Sequence, residues 1–282
     1  APRRARCHRA QPPKSSKNVC LAVIALDRHP RYALIIAANR DEFHARPTER
    51  AHWWKDAHGA PLLAGRDLEH GGTWLGVTRR GRFAFITNVR EPGRHDPCAP
   101  SRGSLAPAVL RDAADVPAAL ESIVAGATAF NGFNLVAGDR SAAAFASNRV
   151  PGITLLRKGV HGVSNARLDT PWPKLDRAKA GVERWAARGD DDVDALFAVL
   201  ADRVLATDAE LPATGIPLER ERLLSAPFIV SADYGTRSST ILAVARDGTA
   251  LFVERTFNAA GEVTGDVEYR FRVTAAERAD VA

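Results

Sequence analysis

Short apolar runs closed by turn residues constrain the fold of this chain more than any other feature of its sequence. The first run covers residues 20–27 and ends at a turn-like segment, and the second follows at residues 33–39. Apolar segments of this length between turn residues are typical of β-strands, and two in succession predict a hairpin or adjacent strands. No apolar run reaches the roughly 18 residues of a membrane-spanning helix, so no membrane span is expected.

Similar patterns cover most of the remaining chain. Strands are predicted at residues 62–67, 73–78, 82–89, 132–137, 142–147, 153–156, 162–165, 228–232, 239–246, 249–256 and 267–273. Apolar residues at helical spacing predict helices at residues 105–111, 116–125, 174–187 and 193–205. Strands followed by helical blocks and then by strands indicate sheets that pack on each other and are covered by helices.

The excess of basic charge is confined to the first 19 residues. The chain holds 39 Lys and Arg against 33 Asp and Glu, and residues 1–19 contain six of the basic residues and no acidic one. The part from residue 20 onwards is therefore formally neutral. A domain that binds nucleic acid needs a concentrated basic surface, so no nucleic-acid partner is expected.

The cysteines, histidines and glycines exclude several kinds of site. Cys7, Cys20 and Cys98 are too few for a disulfide framework in 282 residues, which fits a reducing compartment and predicts a cytoplasmic location. The eight histidines show no spacing typical of a metal site. Gly71 and Gly72 are not followed by the Lys-Ser or Lys-Thr of a phosphate loop. We therefore expect no metal and no cofactor.

Residues 1–19 differ from the rest of the chain. They are rich in Arg, Pro, Ser and Lys and contain no apolar core of a secretory signal, so a disordered extension is predicted. A basic tail, a transit-like peptide and translation from upstream of the true start all remain open. Met is absent from the 282 residues, and a GTG codon for Val is read as Met when it initiates translation. We hypothesise that Val19 is the initiator and that removal of this Met leaves Cys20 as the N-terminus.

Four polar side chains follow the second apolar run directly. Asn39, Arg40, Asp41 and Glu42 lie where that strand is expected to end. Because four ionic or amide side chains in succession cannot all be buried, the segment is predicted to be either a solvated turn or a functional site. The same alternatives apply to the polar residues at 87–88, 164–165 and 234–237.

Several motifs, taken together, resemble those of one known family. After Cys20 they are NRDEF at residues 39–43, AGRDL at 64–68, GGTWLGV at 71–77, TN at 87–88, SRG at 101–103, NGFNL at 131–135, SN at 164–165, LDTPWPK at 168–174 and YGTRSST at 234–240. The set resembles the NRDE family of transport and Golgi organisation protein 2-like proteins over essentially residues 20–275. The resemblance implies one domain at residues 20–282 with the α+β fold of the N-terminal nucleophile hydrolases, a four-layer αββα sandwich.

The same resemblance implies a cysteine nucleophile at the N-terminus. Cys20 would attack an amide carbonyl after its own α-amino group has taken the thiol proton, and water would release the acyl group. Asp41 resembles the residue that orients the α-amino group, and Asn88 resembles the residue that stabilises the oxyanion. Asn165 and Arg237 resemble the later active-site Asn and Arg.

One position departs from the hydrolase pattern. The hydrolases have an Arg directly before their Asn-x-Asp segment, whereas this chain has Ala38 there. Arg40 can replace that Arg only if its side chain turns inward, because adjacent strand residues face opposite sides of a sheet. Asn39, Arg40 and Trp74 are the expected substrate-binding residues.

Two functions agree with the resemblance. The first is a cysteine N-terminal nucleophile hydrolase that cleaves a linear amide bond of a small or lipid-like substrate through Cys20. The alternative is a non-catalytic protein that binds and transports haem, a lipid or acyl-CoA on the same scaffold. The fold does not separate them, because function depends on the site.

Overall fold

The apolar runs form two antiparallel sheets. The computed structural model describes residues 20–140 and 142–274, so the predictions for residues 1–19 and for the C-terminal end of the domain lie outside the described residues. The strands in this part are β1 (Cys20–Leu26), β2 (Tyr32–Phe43), β3 (Thr48–Lys55), β4 (Pro61–Asp67), β5 (Leu75–Val77), β6 (Phe83–Asn88), β7 (Phe133–Gly138), β8 (Ala143–Ser147), β9 (Val150–Leu156), β10 (Gly159–Val163), β11 (Tyr234–Ala245), β12 (Thr249–Phe257) and β13 (Val263–Arg272). The α-helices there are α1 (Leu105–Arg111), α2 (Val116–Ala125), α3 (Pro173–Arg188), α4 (Asp194–Leu200) and α5 (Leu218–Leu223).

Strands from both ends of the described chain meet in one sheet. The six-stranded sheet has the order β10-β1-β2-β11-β12-β13, and the seven-stranded sheet runs from β3 to β9 in sequence order. The strands β1 and β2 pair antiparallel, with Cys20 opposite Arg40 and Leu26 opposite Leu34, which confirms the predicted adjacent strands. Cys20 therefore begins an interior strand of the six-stranded sheet.

Alternating side chains divide the apolar residues into layers. On β1, Ala22 and Ile24 pack between the two sheets, whereas Leu21 and Val23 pack against α3 and α4. The helices α1 and α2 cover the outer face of the seven-stranded sheet. The layers follow the order helix, sheet, sheet, helix, so the predicted αββα sandwich is confirmed.

The four predicted helices are present, and one of them is shorter than expected. The helices α1 and α2 have the predicted bounds, and α3 extends the prediction by one residue at each end. The helix α4 ends at Leu200 and not at residue 205. The Asp202 side chain accepts the backbone N–H of Val204 at 2.8 Å, and such a local bond competes with a further helical turn. No helix of residues 20–140 and 142–274 has the length and apolar character needed to cross a membrane.

One predicted strand is wrong. At residues 228–232 the backbone makes no sheet pairing, because the N–H of Phe228 donates to the carbonyl of Asp202 at 2.8 Å and that of Ile229 to the Thr236 hydroxyl at 2.9 Å. Conversely, the sequence pattern does not predict the edge strand β3 or the short helix α5, in which polar residues interrupt the apolar spacing.

Candidate active site

The four polar residues after the second apolar run continue β2 instead of ending it. Their exposed fractions are 2% for Asn39, 5% for Arg40, 1% for Asp41 and 1% for Glu42. The expectation that four such side chains cannot all be buried is therefore wrong. Each of them has polar or charged partners inside the protein, and these replace the water that the side chain loses.

The Asn39 side chain forms hydrogen bonds that connect β2 to segments on the helix side of the sheet. Its amide nitrogen donates to the carbonyls of Leu200 at 2.8 Å and Pro227 at 2.9 Å, and its amide oxygen accepts from the Ser239 hydroxyl at 2.6 Å. Both amide hydrogens are used in these two bonds. The predicted substrate-binding residue Asn39 is thus engaged in structural contacts.

Arg40 points to the same side of the sheet as Cys20. The two residues are directly opposite in the antiparallel ladder, which places their side chains on one face. The Arg40 guanidinium lies 4.2 Å from the ring centroid of Trp74 and 3.6 Å from a carboxylate oxygen of Glu42. The structure therefore meets the condition under which Arg40 can replace the missing Arg at position 38.

A network of ion pairs continues from Arg40 along the same side of the sheet. The Glu42 carboxylate lies 3.5 Å from Nε of Arg46, and the Arg46 guanidinium lies 2.7 Å from a carboxylate oxygen of Asp67. Burial of charges is costly unless they are paired. The alternating signs along this network explain how the charged part of β2 is accommodated.

Cys20 lines a cleft with a volume of about 170 Å³. The basic and histidine residues of its lining are Arg40, Arg46, His70, His95 and Arg102. The acidic residues of its lining are Asp41, Glu42, Asp67, Glu69 and Asp96. Trp74 and Asn88 also line it. A cleft with this many charges of both signs suits a small polar ligand better than an extended apolar chain.

The surroundings of Cys20 keep its thiol protonated. Burial, followed by the negative charge of Asp41, raises the pKa of the Cys20 thiol to about 12. A hydrogen bond from the Asp41 backbone N–H and the charge of Arg40 act in the opposite direction. The thiolate is the nucleophilic form of cysteine, so chemistry at Cys20 requires a base that takes the proton.

Asp41 is buried beside Cys20 and is itself only partly satisfied. Burial outweighs the opposing effects of the Lys174 charge and of a hydrogen bond from Thr236, and the pKa of Asp41 is raised to about 7. The Thr236 hydroxyl lies 2.6 Å from Oδ1 of Asp41. In the described part of the chain, Oδ2 of Asp41 has no hydrogen-bond partner.

The two predicted asparagines are in contact with each other, and one of them lines the cleft. Asn88, the last residue of β6, lines the cleft. Asn165 lies behind it and donates from its amide nitrogen to the Asn88 carbonyl at 2.9 Å. The adjacent Ser164 hydroxyl donates to the Cys20 carbonyl at 3.0 Å. The structure thus brings Cys20, Asp41, Asn88 and Asn165 together.

Arg237 is placed differently from the other predicted site residues. In the pairing of β2 with β11, Thr236 lies opposite Asp41 and Ser238 opposite Arg40, so Arg237 is the extra residue of a β-bulge. One guanidinium nitrogen of Arg237 donates to the carbonyls of residues 43, 44 and 46 at 2.9, 3.1 and 3.2 Å. Arg237 lines a second cavity of about 150 Å³, which shares Arg40 and Trp74 with the cleft.

Two basic residues near Cys20 are not among the predicted site residues. Arg102 lines the cleft, and burial lowers the pKa of its guanidinium to about 10. Lys174, at the start of α3, is 1% exposed and interacts with the charges of Asp41 and Cys20. Both residues belong to motifs that carry the family resemblance, SRG and LDTPWPK. These motifs could have identified Arg102 and Lys174 as site residues, but the sequence assigned no role to either of them.

In the part of the chain that the structure describes, the acidic side chains of the cleft do not form a metal centre. Within residues 20–140 and 142–274, no group of three or more His, Cys, Asp or Glu side chains is arranged to hold a metal ion. Three of the acidic residues of the cleft are paired with Arg46 instead, namely Glu42, Asp67 and Glu69.

Comparison with known proteins identifies the family. The family model described as Transport and Golgi organisation 2 matches residues 19–259. The chain belongs to the Transport and Golgi organisation 2 family. The Transport and Golgi organization protein 2 homolog of Homo sapiens is 36% identical over 261 residues, and that of Bos taurus is 35% identical over 260 residues. Each comparison covers 84% of this chain and 92% of the relative, and the family resemblance read from the motifs is confirmed.

One more distant relative and two solved structures are also similar to this chain. The Transport and Golgi organization protein 2 of Drosophila melanogaster is 28% identical over 265 residues. Among solved structures, a mutant of the conjugated bile acid hydrolase from Clostridium perfringens aligns with a TM-score of 0.47 and 10% identity, over 93% of this chain and 99% of the hydrolase. A second variant of that enzyme aligns with a TM-score of 0.47 and a sequence identity of 9%. At so low a TM-score and identity, this similarity carries no inference about the function of the family member described here.

Proposed function

We propose that this protein is a cysteine amidohydrolase in which Cys20 is the nucleophile. The observation that carries the proposal is the position of Cys20 in a polar cleft whose lining also includes Asp41 and Asn88. A thiol, a carboxyl group and an amide donor around one cleft form a set of groups suited to acyl transfer through cysteine.

The proposed reaction begins with proton transfer from the Cys20 thiol to the α-amino group of the same residue. The sulfur then forms a bond to the substrate carbonyl carbon, and the C–N bond breaks as the amine leaves with the proton from the α-ammonium group. Water next attacks the thioester, the C–S bond breaks, and the products are a carboxylic acid and the free thiol. An α-amino group has a pKa near 8, so it is a suitable base close to neutral pH.

Two residues support this reaction without taking part in bond formation. The amide of Asn88 supplies the donor that stabilises the negative oxygen of the tetrahedral intermediate, and loss of one such donor costs about 10²–10³ in rate. Asp41 orients the α-ammonium group by its negative charge. Because the cleft is lined by charges of both signs, the proposed substrate is a small polar amide.

The mechanism requires a mature chain that begins at Cys20. If Val19 is the initiator, the α-amino group of Cys20 becomes free when the initiator Met is removed. Mass spectrometry of the N-terminal peptide of the protein from its native cells tests this requirement. A native chain in which Cys20 is still joined to residue 19 would exclude the α-amino group as the base.

The catalytic proposal is tested with the chain that begins at Cys20 and with two variants of it. We expect Cys20→Ala to abolish hydrolysis of short-chain p-nitrophenyl esters and anilides with polar acyl groups, and to abolish the acyl adduct seen by intact-protein mass spectrometry. The matched control is Cys98→Ala, which removes an exposed cysteine that does not itself line the cleft, although neighbouring residues of its loop do. Equal turnover in wild type and Cys20→Ala contradicts the proposal.

A non-catalytic role in transport is the second candidate, and one observation favours it. Burial raises the pKa of the Cys20 thiol to about 12. Without a neighbouring base such as a free α-amino group, the thiol therefore stays protonated and unreactive. The relatives from cattle and human carry transport and Golgi organisation in their names. This candidate predicts saturable binding of haem, a lipid or acyl-CoA that survives Cys20→Ala, measured by absorption or calorimetric titration.

A further inference from the structure

A buried lysine lies on the helix side of the candidate site, and the proposed reaction does not use it. Lys174 is 1% exposed, and in residues 20–140 and 142–274 its Nζ has no hydrogen-bond partner. It is the second residue of α3, where the helix dipole disfavours a positive charge. Burial, lack of a partner and position all destabilise the ammonium form, so helix stability does not explain a lysine at this site.

The groups that face Lys174 come from four parts of the chain. They are Cys20 on β1, Asp41 on β2, Arg90 after β6 and Glu221 on α5. Arg90 is paired with Glu221 at 2.5 Å and lies 4.7 Å from the ring centroid of Trp172. Since Glu221 is already paired with Arg90, the carboxyl group left to balance Lys174 is that of Asp41.

Asp41, like Lys174, has a buried polar atom without a hydrogen-bond partner among the described residues. Its Oδ1 is bound by Thr236 at 2.6 Å, but within the described residues Oδ2 has no hydrogen-bond donor. Along β2, Asp41 alternates with Arg40 and Glu42, so its side chain points to the helix face, where α3 packs on the sheet. The two unpartnered groups, Oδ2 of Asp41 and Nζ of Lys174, thus belong to one buried cluster on this face.

We propose that Lys174 is a positioning residue of the Cys20 site, whose positive charge holds Asp41 as a carboxylate beside the nucleophile. The inference rests on the proposed function, because the reaction needs a negative Asp41 to orient the α-ammonium group of Cys20. Burial favours the neutral carboxylic acid, and Lys174 opposes this. Arg40 and Glu42, the charged neighbours of Asp41 along β2, point to the other face of the sheet, and their opposite charges act on Asp41 in opposite directions.

The surroundings of the two groups agree with this assignment. Burial raises the pKa of Asp41 towards neutrality, and the charge of Lys174 is the largest influence that lowers it again. Burial and the charge of Arg90 lower the pKa of Lys174, whereas Asp41 and Cys20 raise it. Each group therefore favours the charged form of the other.

The experiment measures the protonation of Asp41 directly. In the chain that begins at Cys20, labelled with carbon-13 at the aspartate carboxyl, the Asp41 resonance is assigned by its loss in Asp41→Asn and titrated by NMR. We expect Lys174→Met to raise the pKa of Asp41 by about one unit or more, a tenfold or larger change in proton affinity. The control, Lys179→Met, removes a lysine of the same helix that is paired with Asp169 and leaves the Asp41 titration unchanged. An unshifted or lowered pKa in Lys174→Met overturns the inference.

The reciprocal variant keeps the test valid if Lys174→Met does not fold. The interaction between two groups is shared equally, so Asp41→Asn must lower the pKa of Lys174 by a similar amount, as read from its side-chain resonances. A Lys174 titration that is the same in wild type and Asp41→Asn contradicts the inference. These titrations need no turnover, so absence of hydrolysis by the wild-type chain rejects the proposed function separately. If the wild-type chain hydrolyses a substrate, kcat/KM plotted against pH should fall off at a higher pH on the acidic side in Lys174→Met than in wild type.

Discussion

At the scale of single residues, the space around the Arg40–Trp74 contact depends on one glycine. A Cβ atom on Gly65 would lie 2.3 Å from the Trp74 ring, so any larger residue displaces that ring. We expect Gly65→Ala to lower the free energy of unfolding by about 1–3 kcal/mol, as overpacking of a buried site does. Urea unfolding, with near-ultraviolet circular dichroism to follow the tryptophans, measures the change.

The control for this substitution is Gly126→Ala. A Cβ atom there would lie 3.8 Å from its nearest neighbour, and the residue has an ordinary φ of −87°. Gly126→Ala should leave the unfolding curve unchanged or slightly more stable, because the unfolded chain loses conformational freedom. Equal destabilisation by both substitutions would show that steric conflict with Trp74 is not the cause.

Also at the residue scale, the environment of Cys20 predicts how fast it is alkylated. In the 282-residue chain the Cys20 thiol has a pKa of about 12, whereas Cys98 is exposed. We expect iodoacetamide at pH 7.5 to modify Cys98 before Cys20 in that chain, as measured by peptide mass spectrometry. In the chain that begins at Cys20 the new α-ammonium charge should accelerate the reaction of Cys20 at least several-fold. Identical Cys20 rates in the two chains contradict this prediction.

The site residues were predicted unevenly, for a physical reason. Cys20 and Asn88 line the cleft at the ends of strands that the apolar pattern predicts, whereas Asp41 lines it from the continuation of β2 that the pattern does not predict. Asn39 and Arg237 are engaged with backbone carbonyls instead. Their contacts depend on which face of β2 each residue occupies and on a bulge in β11, and neither can be read from the order of residues along the chain.

At the scale of secondary-structure elements, the bulge in β11 holds the turn between β2 and β3. We expect Arg237→Ala to lower the free energy of unfolding by about 1–3 kcal/mol, because three carbonyls lose a charged donor. Hydrogen–deuterium exchange of residues 43–48 should become faster. The comparison is Arg270→Ala, which removes an exposed ion pair with Glu268 and should cost at most about 1 kcal/mol. Unchanged exchange in the turn would mean that Arg237 does not stabilise it.

The elements with a clear apolar period were predicted well. The helices α1 and α2 have the predicted bounds, because each presents one apolar face to the seven-stranded sheet. The failures are segments whose apolar residues serve another purpose. Residues 228–232 are apolar because Ile229 packs with Leu224 and Tyr234, and their backbone bonds are made to a loop and a side chain.

At the scale of the whole molecule, Glu254 connects the two sheets and makes stability depend on pH. Its Oε1 accepts the backbone N–H of Ala51 in the other sheet at 2.7 Å, and burial raises the pKa of Glu254 from 4.5 to about 7. A carboxyl group with a raised pKa in the folded state contributes most below pH 4.5, and this contribution is lost as the pH rises through 7. Glu254→Gln keeps the acceptor and removes the charge.

We therefore expect Glu254→Gln to match the wild type near pH 4 and to be more stable by about 1–3 kcal/mol at pH 8. Urea unfolding at both pH values measures the free energy of unfolding of the two proteins. The contributions of the other titrating groups are the same in both proteins, so they drop out of the difference. Glu49 is an exposed residue that lines the second cavity together with Glu254, so Glu49→Gln is the control and should not change the difference in stability between the two pH values. A Glu254→Gln protein that is less stable than the wild type at pH 8 contradicts the assignment.

The pairing of β2 with β11 also determines when the site can form during folding. Asp41 and Thr236, which are in direct contact, are 195 residues apart in the chain. Contacts of such high sequence separation form slowly, because a long loop must close before they contribute any stability. Until β11 has been synthesised, β2 presents an unpaired edge with its charged residues uncompensated, which is the kind of surface that chaperones cover. A chain released before residue 236 would therefore retain Cys20 but lack the Thr236 contact that fixes Asp41.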